Sequence, residues 1–191
     1  MRVIDASDKP NDQHGYSVYT LVLLVSDPVA SNVHNIRSLV RPRRAMIDAH
    51  VTALGTFCDI DDLAILGDHV MKAVAGTVPL TLAPAGEILK SHDGTSVAVT
   101  VEITPGLQAL HDRLAESVLS IAVNAYSDPS QYRAHMTFYQ EIPESEVATG
   151  FQLAQECELE PFSVDAVTLV GRVGTASSGE WRKIRDFPFA G

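Results

Sequence analysis

The chain has 191 residues, 46% hydrophobic and 20% charged, with a formal net charge of −10. A chain of this length and composition folds as an ordinary globular protein, burying about 70% of the surface its unfolded form exposes; the acidic balance argues against tight binding of long duplex nucleic acid, since neutralising phosphates needs a positive surface. The longest apolar run, Val18 to Val25, is broken by Thr20 and is far too short to span a bilayer, so no membrane partner is expected.

The first fifteen positions are polar and read as a mobile tail without a secretory signal, which leaves residues 16–191 as one domain. Tyr16 to Val25 reads as a buried strand, and Ser26-Asp27-Pro28 supplies a capping side chain and a tolerated first-turn proline for a helix to about Val40. A strand around His50 follows, and Asp59 to Asp62 gives an acidic start to a helix ending near Ala75. Leu80 to Leu89 and Ser96 to Ile103 read as strands meeting at a His92-Asp93-Gly94 turn. The order then recurs: a helix from Thr104-Pro105 to about Asn124, a strand around His135, a helix from Pro143–Glu146 to about Glu156, and strands near Phe162–Val173 and Glu180–Phe187. The repetition is one of architecture, and it predicts an α+β fold of two similar lobes, antiparallel-containing sheets lining a central cleft and helices on the outer faces.

Each half carries one short pattern, Ala49-His50-Val51-Thr52-Ala53 and Ala134-His135-Met136-Thr137-Phe138. In a strand, side chains at i and i+2 share a face, so each histidine and its threonine project together. Two such strands side by side would flank a phosphate with two acid/base groups, His50 and His135, and two hydroxyl donors, Thr52 and Thr137. A bare His-x-Thr is a weak signal, and the apolar residues on both sides of each threonine sharpen it. In the second copy Arg133, His135, Thr137 and Tyr139 form a polar stripe opposite Ala134, Met136 and Phe138.

The paired motifs resemble those of the two-histidine phosphoesterase superfamily, which includes 2'-5' RNA ligase-like proteins and cyclic nucleotide phosphodiesterases. The tail is similar to the closing hairpin of that family, with Val167–Arg172, a Gly/Ser turn, Gly179-Glu180-Trp181 and Asp186–Phe189. After the first motif the chain reads Ala53-Leu54-Gly55-Thr56-Phe57, where the RNA ligase-like branch usually carries Phe-Leu-Gly. The resemblance implies a metal-independent phosphodiesterase without a cofactor, acting as a monomer on a nucleotide or RNA terminus that bears a 2',3'-cyclic phosphate or a 2'-5' linkage. It also implies His135 as base and His50 as acid.

Further substrate contacts are expected from Arg133, Tyr139, Arg172 and Trp181, each with a plainer alternative: a salt bridge, core packing, a solvated strand face and a cross-strand contact, respectively. Tyr126 and Phe57 are weighed in the same way, as base-stacking rings or core. Two basic clusters, Arg37, Arg41, Arg43 and Arg44, then Arg172, Arg182, Lys183 and Arg185, hold eight of the 14 Lys and Arg and either gather a phosphate beside the site or form solvated surface. His14, His34, His69, His92 and His111 lack the pattern and are expected on the surface or on helices. Cys58 and Cys157 show no metal-ligand spacing, no metal site is expected, and a reducing cytoplasm is the expected compartment. The rival reading is a nucleotide-binding module that keeps the cleft without turnover.

Overall fold

The structure is a computed structural model that describes the backbone of residues 3–4 and residues 9–43, 46–125, 129–175 and 179–190. Arg44, Tyr126, residues 176–178 of the Gly/Ser turn and most of residues 1–8 lie outside the described residues. The order of elements is β1 (Val3–Ile4), β2 (Val18–Leu24), α1 (Val29–Val40), β3 (His50–Cys58), α2 (Leu63–Val74), β4 (Leu80–Leu82), β5 (Pro84–Lys90), β6 (Val97–Val101), α3 (Pro105–Val118), β7 (Val123–Ala125), β8 (His135–Tyr139), α4 (Val147–Glu156), β9 (Phe162–Val164), β10 (Ala166–Val173) and β11 (Glu180–Pro188).

Local chemistry accounts for the helices. In α1 the apolar positions Val29, Val33, Ile36 and Val40 share one stripe and are buried. Asp27 precedes this helix and accepts from the backbone N–H and hydroxyl of Ser31, at 3.2 and 2.7 Å. Asp62 caps α2, accepting from the N–H groups of Ala64 (2.6 Å) and Ile65 (3.4 Å), and Thr104 caps α3 through Leu107 N–H at 3.2 Å. Helix α3 stops at Val118, short of the expected Asn124, because the following residues pair: Val123 and Asn124 lie opposite Cys58 and Phe57. Tertiary strand pairing overrides the weak local helix preference there.

The strands form a nine-stranded sheet whose main path is β11-β10-β2-β3-β8-β6-β5, with β7 pairing both β3 and β1, and a separate two-stranded sheet joins β4 to β9. The expected strand Leu80–Leu89 is thus two, one pairing with β9 and the other with β6, and the expected strand Phe162–Val173 likewise divides into β9 and β10. Strands cross between the halves, since β10 and β11 extend the side carrying β2 and β3, while β5 extends the side carrying β6 and β8. Helices cross as well: α1 packs on β8 and α3 on β3. This is the expected α+β class, with each His-x-Thr strand in its own half of the sheet and the two motif strands paired in register at Val51 opposite Met136.

The described part of the segment expected as a free tail is anchored. Asp12 accepts from the Tyr19 hydroxyl (2.6 Å) and from the N–H groups of His14 (2.8 Å) and Tyr16 (3.1 Å). Lys9 pairs with Asp59 at 2.5 Å, and Val3–Ile4 run parallel to Asn124–Ala125. Asp62→Ala, which removes the α2 cap, is expected to lower the unfolding free energy by about 1 kcal/mol, measured by urea denaturation at constant m.

Candidate active site

The site is built on the seam between β3 and β8. Val51 and Met136 face each other across it and both are fully buried. In this antiparallel register, one residue either way, His50 stands opposite Thr137 and Thr52 opposite His135. All four side chains therefore share the face opposite the core, and the two histidines lie on a diagonal of about 7–8 Å, a span suited to a phosphoryl group between them. The four residues line a cleft of about 370 Å³ together with Thr20, Asn124, Tyr132, Arg133 and Trp181, among others.

The two imidazoles are held alike. His50 Nδ1 lies 2.7 Å from the carbonyl of Asp48, and His135 Nδ1 lies 2.8 Å from that of Arg133. A carbonyl can only accept, so each Nδ1 carries the proton and each Nε2 is left for proton exchange in the cleft. Their surroundings differ. Desolvation pushes the His50 pKa down to about 4, with the positive charge of Arg37 and the neighbouring His135 adding to it and the Asp48 carbonyl and carboxylate opposing it. His50 is therefore neutral near pH 7.

Both motif strands bulge just after the threonine, which corrects one expectation. Along β8, Thr137 pairs with Ala98 and Tyr139 with Val97, so Phe138 is an extra residue and the alternation slips. Phe138 and Tyr139 both turn inward and are fully buried. Tyr139 is thus core and not a cleft contact, and its hydroxyl finds no hydrogen-bond partner among the described residues. Strand β3 slips in the same way, and Ala53 and Leu54 are both buried; Phe57 is core too.

The other expected residues divide. Arg133 lines the cleft and pairs with Glu87 at 2.8 Å, an exposed bridge of the kind that contributes little to stability. Trp181 lines the cleft and is also a cross-strand neighbour of Arg172, whose guanidinium lies 5.8 Å from the ring centroid. Arg172 itself does not reach the cleft: it is buried behind Trp181 and donates from Nε to the Ser17 hydroxyl at 3.2 Å. Neither basic cluster gathers at the site in its described part. Arg41 pairs with Glu146, Lys183 with Asp186 at 2.5 Å and Arg182 with Glu180 at 3.7 Å, while Arg185 lies over the Phe187 ring. Arg37 points inward, pulled down to about pKa 10 by burial and still charged at neutral pH.

His111 was not expected in the site and is a buried part of the cleft wall. Its ring stacks on Tyr132 with centroids 3.8 Å apart and planes 7° from parallel. A signal for it exists in the sequence, because His111 falls on the same stripe as Leu107, Leu110, Leu114 and Val118, the buried face of α3. Among the described residues no group of three or more His, Cys, Asp or Glu is placed to hold a metal ion, and no helix is long and apolar enough to cross a membrane.

A sheet seam that sets two His-x-Thr pairs in one cleft defines a two-histidine phosphoesterase fold. The family model for the 2'-5' RNA ligase superfamily matches residues 25–176, and the chain belongs to that superfamily. Among solved structures, TT0787 of Thermus thermophilus superposes with a TM-score of 0.60 at 11% identity, covering 91% of this chain and 98% of the other. E. coli LigT in complex with 3'-AMP gives 0.59 at 12% identity with the same coverages, and LigT in complex with ATP gives 0.56 at 13%, again covering 91% and 98%. No curated protein matches the chain. Family membership supports the processing of phosphodiesters.

His50 also affects stability. Its folded pKa near 4 lies below the unfolded value of about 6.5, so between these values the unfolded chain binds a proton that the native state does not. Its contribution is present above pH 6.5 and lost as the pH falls towards 4. The urea midpoint of His50→Ala is therefore expected to fall less than that of the wild type between pH 7 and 4.5; parallel decline of the two would contradict the depressed pKa.

Proposed function

We propose that the protein is a metal-independent phosphodiesterase that hydrolyses 2',3'-cyclic phosphates or 2'-5' linkages of nucleotides or RNA ends. The observation that carries this reading is the matched pair of imidazoles, each with Nδ1 tied to a carbonyl two residues back and Nε2 facing one cleft. Binding a phosphate alone does not call for two groups poised to exchange protons, whereas in-line hydrolysis does.

For a cyclic phosphate, one neutral imidazole removes a proton from water as its oxygen bonds to phosphorus. The bond from phosphorus to one ribose oxygen breaks, and the second imidazole, entering as imidazolium, delivers its proton to that oxygen. Thr52 and Thr137 donate to the non-bridging oxygens, where charge accumulates. Family resemblance assigns the base to His135, but the low pKa of His50 favours the reverse, with His50 as base and His135 as acid. Trp181 offers a face on which a base can stack, and Arg133 offers a cation to a phosphate once Glu87 is displaced. Structures of E. coli LigT, whose fold this chain shares, hold 3'-AMP and ATP, in keeping with a nucleotide ligand.

The test is turnover in excess EDTA with 2',3'-cyclic nucleotides and a short RNA ending in a cyclic phosphate, followed by phosphorus NMR. His50→Ala and His135→Ala are each expected to abolish turnover while remaining folded, and turnover surviving both substitutions would overturn the mechanism. Absence of turnover with retained nucleotide binding would establish the binding-module reading instead. Thr137→Val is expected to lower kcat by about 10²–10³, as for loss of one oxyanion donor. With His50 as base, the acidic limb of kcat/KM lies near pH 4; with His50 as acid, activity instead declines as the pH rises through that value.

A further inference from the structure

The carbonyls at the two bulges are held by side chains that come from outside the sheet, and they are held crosswise. On β8, Arg37 of α1 donates from Nη2 to Thr137 O (2.9 Å) and from Nε to Phe138 O (2.9 Å). Its Nη1 reaches Ile47 O at 2.8 Å, on the approach to His50. On β3, the Tyr132 hydroxyl donates to Thr52 O at 2.9 Å, and His111 Nδ1 of α3 lies 2.8 Å from Ala53 O. His111 Nε2 lies 3.1 Å from Pro129 O, in the segment leading into β8, so the ring sits between two carbonyls, and a neutral imidazole donates to one of them, the shorter contact being that with Ala53 O. The two arrangements use unrelated residue types, yet each engages the carbonyl of a motif threonine and the carbonyl after it. Each also originates in the helix that precedes the other motif strand or in the segment that follows that helix.

We propose that Arg37 and the His111–Tyr132 stack are crossed positioning clamps: Arg37 sets Thr137 and the approach to His50, and the stack sets Thr52. The physical need is plain. One backbone pair, Val51 with Met136, links the two motif strands directly, and a bulge follows each threonine. A bulge frees the local backbone to rotate, so a hydroxyl placed there keeps its aim only if the neighbouring peptide planes are fixed from another direction. Three donors on one half-buried guanidinium fix three peptide planes in a single rigid fork. Burial raises the pKa of the Tyr132 hydroxyl, which stays a donor throughout the working range. Because the clamps cross, displacement of either half is felt at the motif of the other.

The inference rests on the two-threonine phosphate site of the proposed function, and its test separates the two. Arg37→Gln and Tyr132→Phe are each expected to lower kcat/KM on a 2',3'-cyclic nucleotide roughly ten- to hundredfold, the range a small misplacement costs; Arg37→Lys should recover part of the loss. The decisive readout is pairwise. In double-mutant cycles Arg37→Gln should be non-additive with Thr137→Val and additive with Thr52→Val, and Tyr132→Phe should show the opposite pairing. Uniform additivity, or equal coupling to both threonines, would overturn the clamps, since a general loss of stability has no such preference.

The same cycles are read on inorganic phosphate affinity by NMR. A wild-type protein that binds phosphate through the two threonines without turnover would sink the enzymatic reading and leave the clamps to stand or fall on the cycles. One that neither turns over the cyclic nucleotide nor binds phosphate would overturn both. As a further check, the titration of His50, which faces Arg37, Asp48 and His135, should move up in Arg37→Gln and stay in place in Tyr132→Phe.

Discussion

The contact of Val51 with Met136 is the constraint on which the rest of the molecule depends. Antiparallel pairing at one point is enough to decide which side chains are opposite and which diagonal, and here it sets imidazole across from hydroxyl on both sides. A slip of one residue by either strand would turn that strand's histidine and threonine into the core and its buried apolar side chain, Val51 or Met136, into the cleft. The hydrophobic cost of exposing Val51 and Met136, about 1.5–3 kcal/mol each, therefore protects the chemistry as well as the fold.

Burial and a nearby charge then act on His50. The backbone tethers of His50 and His135 are nearly identical, but His50 also feels the inward-turned charge of Arg37. On the proposed reaction, these surroundings suit His50 to the part of the base.

Much of this was legible before folding. Residue types at two-residue spacing carried His50, Thr52, His135 and Thr137 to one cleft, since strand alternation is a short-range rule and these residues lie ahead of the bulges. Tyr139 obeyed the same alternation on paper and failed, because a bulge one residue earlier is a property of pairing with Val97 and Ala98, which local sequence does not display. Arg172 was misplaced for a related reason: its position on β10 is clear, but which face is covered depends on Ser17 and Trp181. His111 was the opposite case. The helical stripe did record its burial, but no motif surrounds it to mark it as part of a site. The basic clusters show that neighbours in sequence need not share a place in space, since α1 turns Arg37 inward and leaves Arg41 at its end paired with Glu146.

Strand exchange between the halves has a consequence for how the molecule holds together. The halves do not form two modules joined by a hinge, because β5 completes the sheet edge of the second half while β10 and β11 cover the first. Either half alone would present an open sheet edge and an uncovered apolar face. A chain nicked in the exposed turn between β5 and β6 would consequently give two fragments that recognise each other, each acting as the missing template of the other. The repeat of architecture in the chain is thus an interlocked pair.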